Sequence, residues 1–194
     1  LALFKSCGWE VEGQEVDQRA AAQVFERYGI KVHLGGIEHL GLREAGYDAI
    51  IMNHVIEHVH DPVGLLTECR HLLRPGGVLV ARTPNIESRG HQVFRSCWRG
   101  LEPPRHLRLF SGNALRSCAE KAGYPYIDIR AEAVNAGGMY WMSHGIVIKE
   151  KQNAWPVAQS LSGLVRAAGF FFVELLLSRR QPWIGEELVL KAGK

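Results

Sequence analysis

Residues 47–84 carry a pattern that few folds accept. A near-continuous apolar run, Tyr47-Asp48-Ala49-Ile50-Ile51-Met52, leads into a capped helical stretch and then a second apolar run, Val78-Leu79-Val80-Ala81. A strand without polar alternation is one covered on both faces, as in a parallel sheet. Asp61-Pro62 offers an N-cap followed by proline in the first helical position, and Leu65, Leu66, Cys69, Leu72 and Leu73 line one stripe behind it. Pro75-Gly76-Gly77 ends that helix and returns the chain to the sheet. Strand, helix and strand in this order form a crossover, which makes the two strands parallel neighbours.

The flanking segments extend the alternation. Leu1 to Gly8 reads as the end of a helix stopped by glycine, and 9–16 as a short strand ending near Glu15. Asp17 caps a helix predicted over 18–28, closed by Gly29, and 30–34 follows as a strand. Beyond the second apolar run comes an irregular, arginine-rich stretch, 83–110. It leads into a helix capped by Ser111 and closed by Gly123, a strand at 126–131, a helical insertion over 154–180 and a last strand at 187–191. The reading is a single α/β domain over 1–194. It has no repeat, and the linkers are too short to separate a second domain.

Composition narrows the function classes. With 46% hydrophobic and 22% charged residues and a net charge of +3, the chain has the make-up of a globular protein. It lacks the concentrated basic stripe of a nucleic-acid binder. Cys7, Cys69, Cys97 and Cys118 stand far apart, without metal-site spacing, so reduced thiols in a cytoplasmic protein are expected and no metal is assigned. The apolar stretch 164–177 is interrupted by Arg166 and Glu174 and is too short to span a bilayer.

The run from Tyr47 through His54-Val55-Ile56-Glu57-His58-Val59-His60-Asp61-Pro62 to Leu72-Leu73-Arg74-Pro75-Gly76-Gly77 resembles the central motifs of class I S-adenosylmethionine-dependent methyltransferases. Thr83-Pro84-Asn85 and Pro103-Pro104-Arg105-His106-Leu107 are similar to a bacterial branch related to the ubiquinone-biosynthesis methyltransferases, and the likeness extends to about residue 129. The resemblance implies a three-layer Rossmann-like sheet of order 3-2-1-4-5-7-6 with the last strand antiparallel. It also implies S-adenosylmethionine as cofactor, S-adenosylhomocysteine as product and a small or lipophilic methyl acceptor. The family's first strand and Gly-x-Gly-x-Gly loop have no counterpart in these residues, since Gly76-Gly77 belongs to a later motif. A segment upstream of Leu1, or a partner chain, is expected to supply them, and without that central strand the chain is expected to be poorly stable.

Ligands of such sheets lie beyond the carboxyl ends of the strands. The resemblance therefore assigns Glu15 to the ribose hydroxyls, Gly36 and Ile37 to the adenine, and Asn53 and His54 to the methionine portion of the cofactor. Glu57 and His58 open toward the acceptor, and His106 or His58 would serve as general base, because imidazole titrates near neutrality. Arg89, Arg95, Arg99, Arg105 and Arg108 could hold an anionic group on the acceptor. The apolar residues of 164–180 would form a lid, a peripheral membrane contact or a homodimer face. Two competitors remain. One is a non-catalytic module of the same fold. The other is a zinc peptidase, since His54-x-x-Glu57-His58 also fits the inverted zinc-peptidase pattern, which requires both histidines on one long helix.

Overall fold

The computed structural model describes residues 1–152, 161–178 and 183–194. Its contacts divide the chain into two compact units, Leu1–Gly46 and Tyr47–Lys194.

In the smaller unit, helix α1 (Ala2–Ser6) is followed by strand β1 (Glu12–Glu15), helix α2 (Gln18–Tyr28) and strand β2 (Lys31–Leu34). The predicted start and stop of α2 are the observed ones. Asp17 accepts hydrogen bonds from the Arg19 and Ala20 amides, and Gly29 adopts the left-handed conformation (φ +59°) that terminates a helix at low steric cost. β1 and β2 are parallel, Glu12 opposite Lys31 and Glu15 opposite Leu34. This crossover brings the ends of both strands, and so Glu15 and Gly35, to one side of the unit.

In the larger unit, strand β3 (Tyr47–Asn53) runs into helix α3 (Pro62–Leu72) and strand β4 (Leu73–Pro84). Short helix α4 (Arg89–Phe94), helix α5 (Gly112–Lys121) and strand β5 (Tyr126–Glu132) follow. Helices α6 (Ala136–Gln152) and α7 (Leu161–Ser178) precede strand β6 (Glu187–Gly193). The sheet order is β3-β4-β6-β5, with β3 and β4 parallel and β6 antiparallel to both neighbours. The four-stranded sheet has the 4-5-7-6 part of the expected order, with β6 as the antiparallel last strand, and β1 and β2 pair in parallel as the second and third strands of that order would.

The core lies along the two inner strands. Leu73, Leu79 and Ala81 of β4 and Leu188, Leu190 and Ala192 of β6 are fully buried, as are Leu66 and Cys69 of α3 and Leu115 and Ala119 of α5. Each leucine buried in this way contributes about 1.5–3 kcal/mol. Tyr124 ties the helical layer together, its hydroxyl donating to the Leu66 carbonyl at 3.1 Å.

Three expectations change. β4 begins at Leu73, before Pro75-Gly76-Gly77, because these residues form an irregularity within the strand. Gly76 sits at φ +81° and its amide donates to the Lys194 carbonyl. The irregular stretch 83–110 contains α4, capped by the Ser88 hydroxyl. The insertion begins earlier than residue 154, with the long helix α6, whose three glycines and evenly spread apolar residues hid it. Of the expected 154–180 segment, 154–160 and 179–180 lie outside the described residues.

Candidate functional site

The strand-end residues of the smaller unit come together. The Gly35 amide donates to the Glu15 carbonyl at 2.9 Å, and Gln14 Nε2 donates to the Gly35 carbonyl at 2.6 Å. Glu15 Oε1 accepts the Val16 and Asp17 amides at 2.7 and 3.1 Å, which orients the carboxylate and leaves Oε2 for a ligand hydroxyl. Gly35 lies at φ +122°, a conformation that favours glycine, and Gly36 leads from it into the 3-10 turn Ile37–His39.

The end of β3 organises the larger site. Asn53 is exposed at the last position of the strand, and His54 turns the chain through a left-handed conformation (φ +52°) while its amide donates to the Arg82 carbonyl. A non-glycine residue adopts this conformation at a cost of about 1–2 kcal/mol. Both ring nitrogens of His54 are engaged by carboxylates, Nδ1 with Glu57 Oε1 at 3.1 Å and Nε2 with Glu187 Oε1 at 3.0 Å. Hydrogen bonds to Glu187 and Glu57 outweigh burial and raise the His54 pKa to about 9, so the ring is an imidazolium at neutral pH.

Glu57 is fully buried. Burial alone would push its carboxyl up, but hydrogen bonds from His54, the backbone and the Thr83 hydroxyl (2.9 Å) bring it below the ordinary value. Its backbone carbonyl accepts the amides of Leu107 and Arg108, which brings the segment 102–108 over the strand end. His106 thereby places Nε2 4.0 Å from Glu57 Oε1, and its ring centroid is 4.8 Å from that of His58.

The tautomers of the two histidines follow from their partners. His106 Nδ1 lies 2.7 Å from the Gly100 carbonyl and His58 Nδ1 2.8 Å from the Arg105 carbonyl. A carbonyl only accepts, so each Nδ1 carries a proton and faces away from the cluster, which leaves Nε2 as the atom turned to it. Glu57, His58 and His106 hold their donor atoms within 4.8 Å of one another. Where the sequence assigned no metal, the structure brings together one carboxylate and two imidazoles that could share a proton or a cation.

Motif reading could not find Glu187 and Asn135, because both reach the site from distant elements, and it gave Thr83, on β4 beside β3, no role there. Glu187 Oε1 also accepts from Asn135 Nδ2 at 3.1 Å, just before α6. His54 and His58 do not form the zinc-peptidase arrangement. His54 precedes the 3-10 turn Ile56–His58, and the two rings bond to different partners. Four of the five arginines are engaged by other groups: Arg99 and Arg105 both pair with Glu102 at 2.8 and 2.7 Å, Arg108 donates to the His60 carbonyl, and the Arg89 guanidinium lies 4.8 Å over the Phe170 ring.

α6 adjoins the segment that carries His106, since the Arg99 amide donates to Ser143 Oγ at 2.9 Å. α6 and α7 enclose an aromatic cluster in which Tyr140 lies 5.0 Å from Phe170 and 5.3 Å from Phe94. The opposite face of α7 exposes Leu164, Val165, Phe172 and Leu176. No helix among the described residues is long and apolar enough to cross a membrane.

A family model described as a methyltransferase domain matches residues 1–129. A probable S-adenosylmethionine-dependent methyltransferase of Mycolicibacterium smegmatis is 37% identical over 128 residues, covering 65% of this chain and 48% of its own. A ubiquinone biosynthesis O-methyltransferase of Cereibacter sphaeroides is 37% identical over 145 residues, covering 69% of this chain and 59% of its own. The chain thus spans about half the length of these relatives. Among solved structures, an S-adenosylmethionine-dependent methyltransferase of Thermotoga maritima superposes with a TM-score of 0.62 at 20% identity, over 97% of this chain and 75% of that one.

Proposed function

Because the chain belongs to the class I S-adenosylmethionine-dependent methyltransferases, we propose that the protein transfers a methyl group from S-adenosylmethionine to a small or lipophilic acceptor. The observation that carries the reading is the convergence of Glu57, His58 and His106 beyond the end of β3.

The residues present fit the cofactor. In the smaller unit Glu15 holds an oriented carboxylate at the end of β1 and Gly36 and Ile37 follow β2, the positions that the family resemblance gives to the ribose and the adenine; in the larger unit Asn53 and His54 end β3, the position it gives to the methionine portion. When bound, the cofactor supplies an electrophilic methyl group on a sulfonium. The acceptor's lone pair would take that methyl, the sulfur keeping the electron pair of the broken bond.

The chain aligns the acceptor and removes its proton. Methyl transfer is an in-line displacement governed by positioning, with a base required where the acceptor atom is protonated. His106 Nε2 is the better base. Its side chain is 5% exposed, its tautomer is fixed by Gly100, and Glu57 stands beside it to stabilise the imidazolium that forms. His58 provides a second imidazole at the same place. The aromatic cluster of α4, α6 and α7 supports an apolar acceptor, and the exposed face of α7 suits a second copy of the chain or a membrane surface.

The test is made on the intact protein. Calorimetry should detect S-adenosylhomocysteine binding, and a panel of dihydroxybenzoates and alkylated phenols should yield S-adenosylhomocysteine from S-adenosylmethionine. Binding without turnover on any acceptor would favour a non-catalytic module, and absence of binding would remove the proposal.

A further inference from the structure

Glu187 stands outside every motif of the sequence, yet it anchors the strand-end cluster. It is the first residue of β6, which lies between β4 and β5, and its side chain is 2% exposed. Oε1 accepts from His54 Nε2 and Asn135 Nδ2, while Oε2 makes no hydrogen bond and faces Arg82 Nη1 at 3.5 Å. His54 is half-buried and sits on a strained backbone, so the hydrogen bonds of its ring are what hold its orientation. Its other nitrogen reaches Glu57 Oε1, which lies 4.0 Å from His106 Nε2, whereas Glu57 Oε2 is held by Thr83, and Glu102 Oε2 stands 3.6 Å from the same His106 nitrogen.

The connection therefore runs Glu187, His54, Glu57, His106. Without the His54 contact, Glu57 would keep only its backbone and Thr83 hydrogen bonds, and Oε1 would lose the side-chain partner that sets its direction. Stability does not explain the arrangement, because well-packed apolar residues usually serve a core at least as well as buried ion pairs do.

We propose that Glu187 is a positioning residue of this site, acting through His54 to set the Glu57 carboxylate toward His58 and His106. The proposal rests on the reading of this strand end as the reaction site.

A double-mutant cycle on the intact protein tests it with wild type, Glu187→Gln, His54→Asn and the double variant. Asparagine tolerates the left-handed backbone at position 54. The readouts are kcat at saturating S-adenosylmethionine with a phenolic acceptor that the wild type methylates, the affinity for S-adenosylhomocysteine, and the melting temperature.

Each single change should lower kcat by roughly tenfold, and the double variant should stay within about twofold of His54→Asn, because the second change then has nothing left to act through. Because His54 also stands at the position assigned to the methionine portion of the cofactor, affinity for S-adenosylhomocysteine should fall by less than kcat does with Glu187→Gln. Losses that multiply in the double variant, or a Glu187→Gln enzyme with wild-type kcat, would overturn the proposal while leaving the functional reading intact. A wild type that neither binds S-adenosylhomocysteine nor methylates an acceptor would overturn both. Should Glu187→Gln fail to fold, Glu187→Asp, which keeps the charge on a shorter side chain, takes its place in the same cycle with the same expected outcomes.

Discussion

His54 at the end of β3 and Glu187 at the start of β6 meet through a 3.0 Å hydrogen bond across 133 positions of sequence. The contact makes stability depend on pH with a definite sign. The folded His54 pKa, about 9, exceeds its ordinary value of 6.5. Its contribution is fully present below pH 6.5 and is lost as the pH rises through 9. Thermal melts of wild type and His54→Asn should differ most near pH 6 and converge above pH 9. A difference that does not vary with pH would show that the ring is not held as an imidazolium.

Replacing His106 removes the imidazole whose Nε2 faces Glu57. His106→Gln should lower turnover by roughly 10²–10⁴-fold, the range for loss of a general base, with S-adenosylhomocysteine affinity little changed. His58→Gln should cost less, because His106 remains beside the carboxylate. The order is the measurement that matters, since equal losses would point to a shared role such as holding a cation. A chelator distinguishes that role: turnover should be unaffected if the cluster moves a proton and abolished if it holds a divalent ion.

The strand and helix alternation was legible because each boundary had its own local cause. Asp17, Asp61 and Ser111 cap their helices through side-chain oxygens, as read from residue type alone, and Gly29 ends its helix in the left-handed conformation. The site was only half legible. Glu57, His58 and His106 were visible as chemistry-bearing residues in motif segments, but what joins them is a pair of backbone hydrogen bonds from 107 and 108 to Glu57, which no side-chain pattern encodes. Glu187 was hidden for a related reason: it reads as the first residue of a strand, and only the antiparallel register of β6 against β4, with Glu187 opposite Pro84, brings it to the end of the sheet where β3 stops. The arginine-rich stretch misled in the other direction, because Glu102 takes up two of the five guanidinium groups that composition alone suggested were free.

In the smaller unit, Glu15 gives a sharper test of the cofactor assignment. Its Oε1 is already occupied by the Val16 and Asp17 amides. Glu15→Ala should weaken S-adenosylhomocysteine binding by about 1–3 kcal/mol, the cost of leaving polar partners unsatisfied, which is roughly a 5- to 150-fold loss in affinity. Glu15→Gln, which keeps an acceptor oxygen, should fall between the two. An affinity unchanged in the alanine variant would remove Glu15 from the cofactor site.

A last prediction concerns a buried acid away from the reaction site. Glu174 of α7 is fully buried, its Oε1 accepts the Glu186 amide at 3.0 Å, and its Oε2 has no hydrogen-bond partner among the described residues. Burial first, and then the neighbouring Glu186 carboxylate, raises its pKa from 4.5 to about 8. The folded state therefore binds a proton that the unfolded chain releases between those values. Stability should fall as the pH rises from about 4.5 and level off above 8, the opposite of an ion-paired carboxylate. Glutamine keeps the acceptor for the Glu186 amide without an ionisable group, so Glu174→Gln should match the wild type near pH 5 and exceed it by about 2–4 kcal/mol at pH 9. Denaturant unfolding at the two pH values measures the difference, and equal gains at both would show that Glu174 does not titrate in the folded protein.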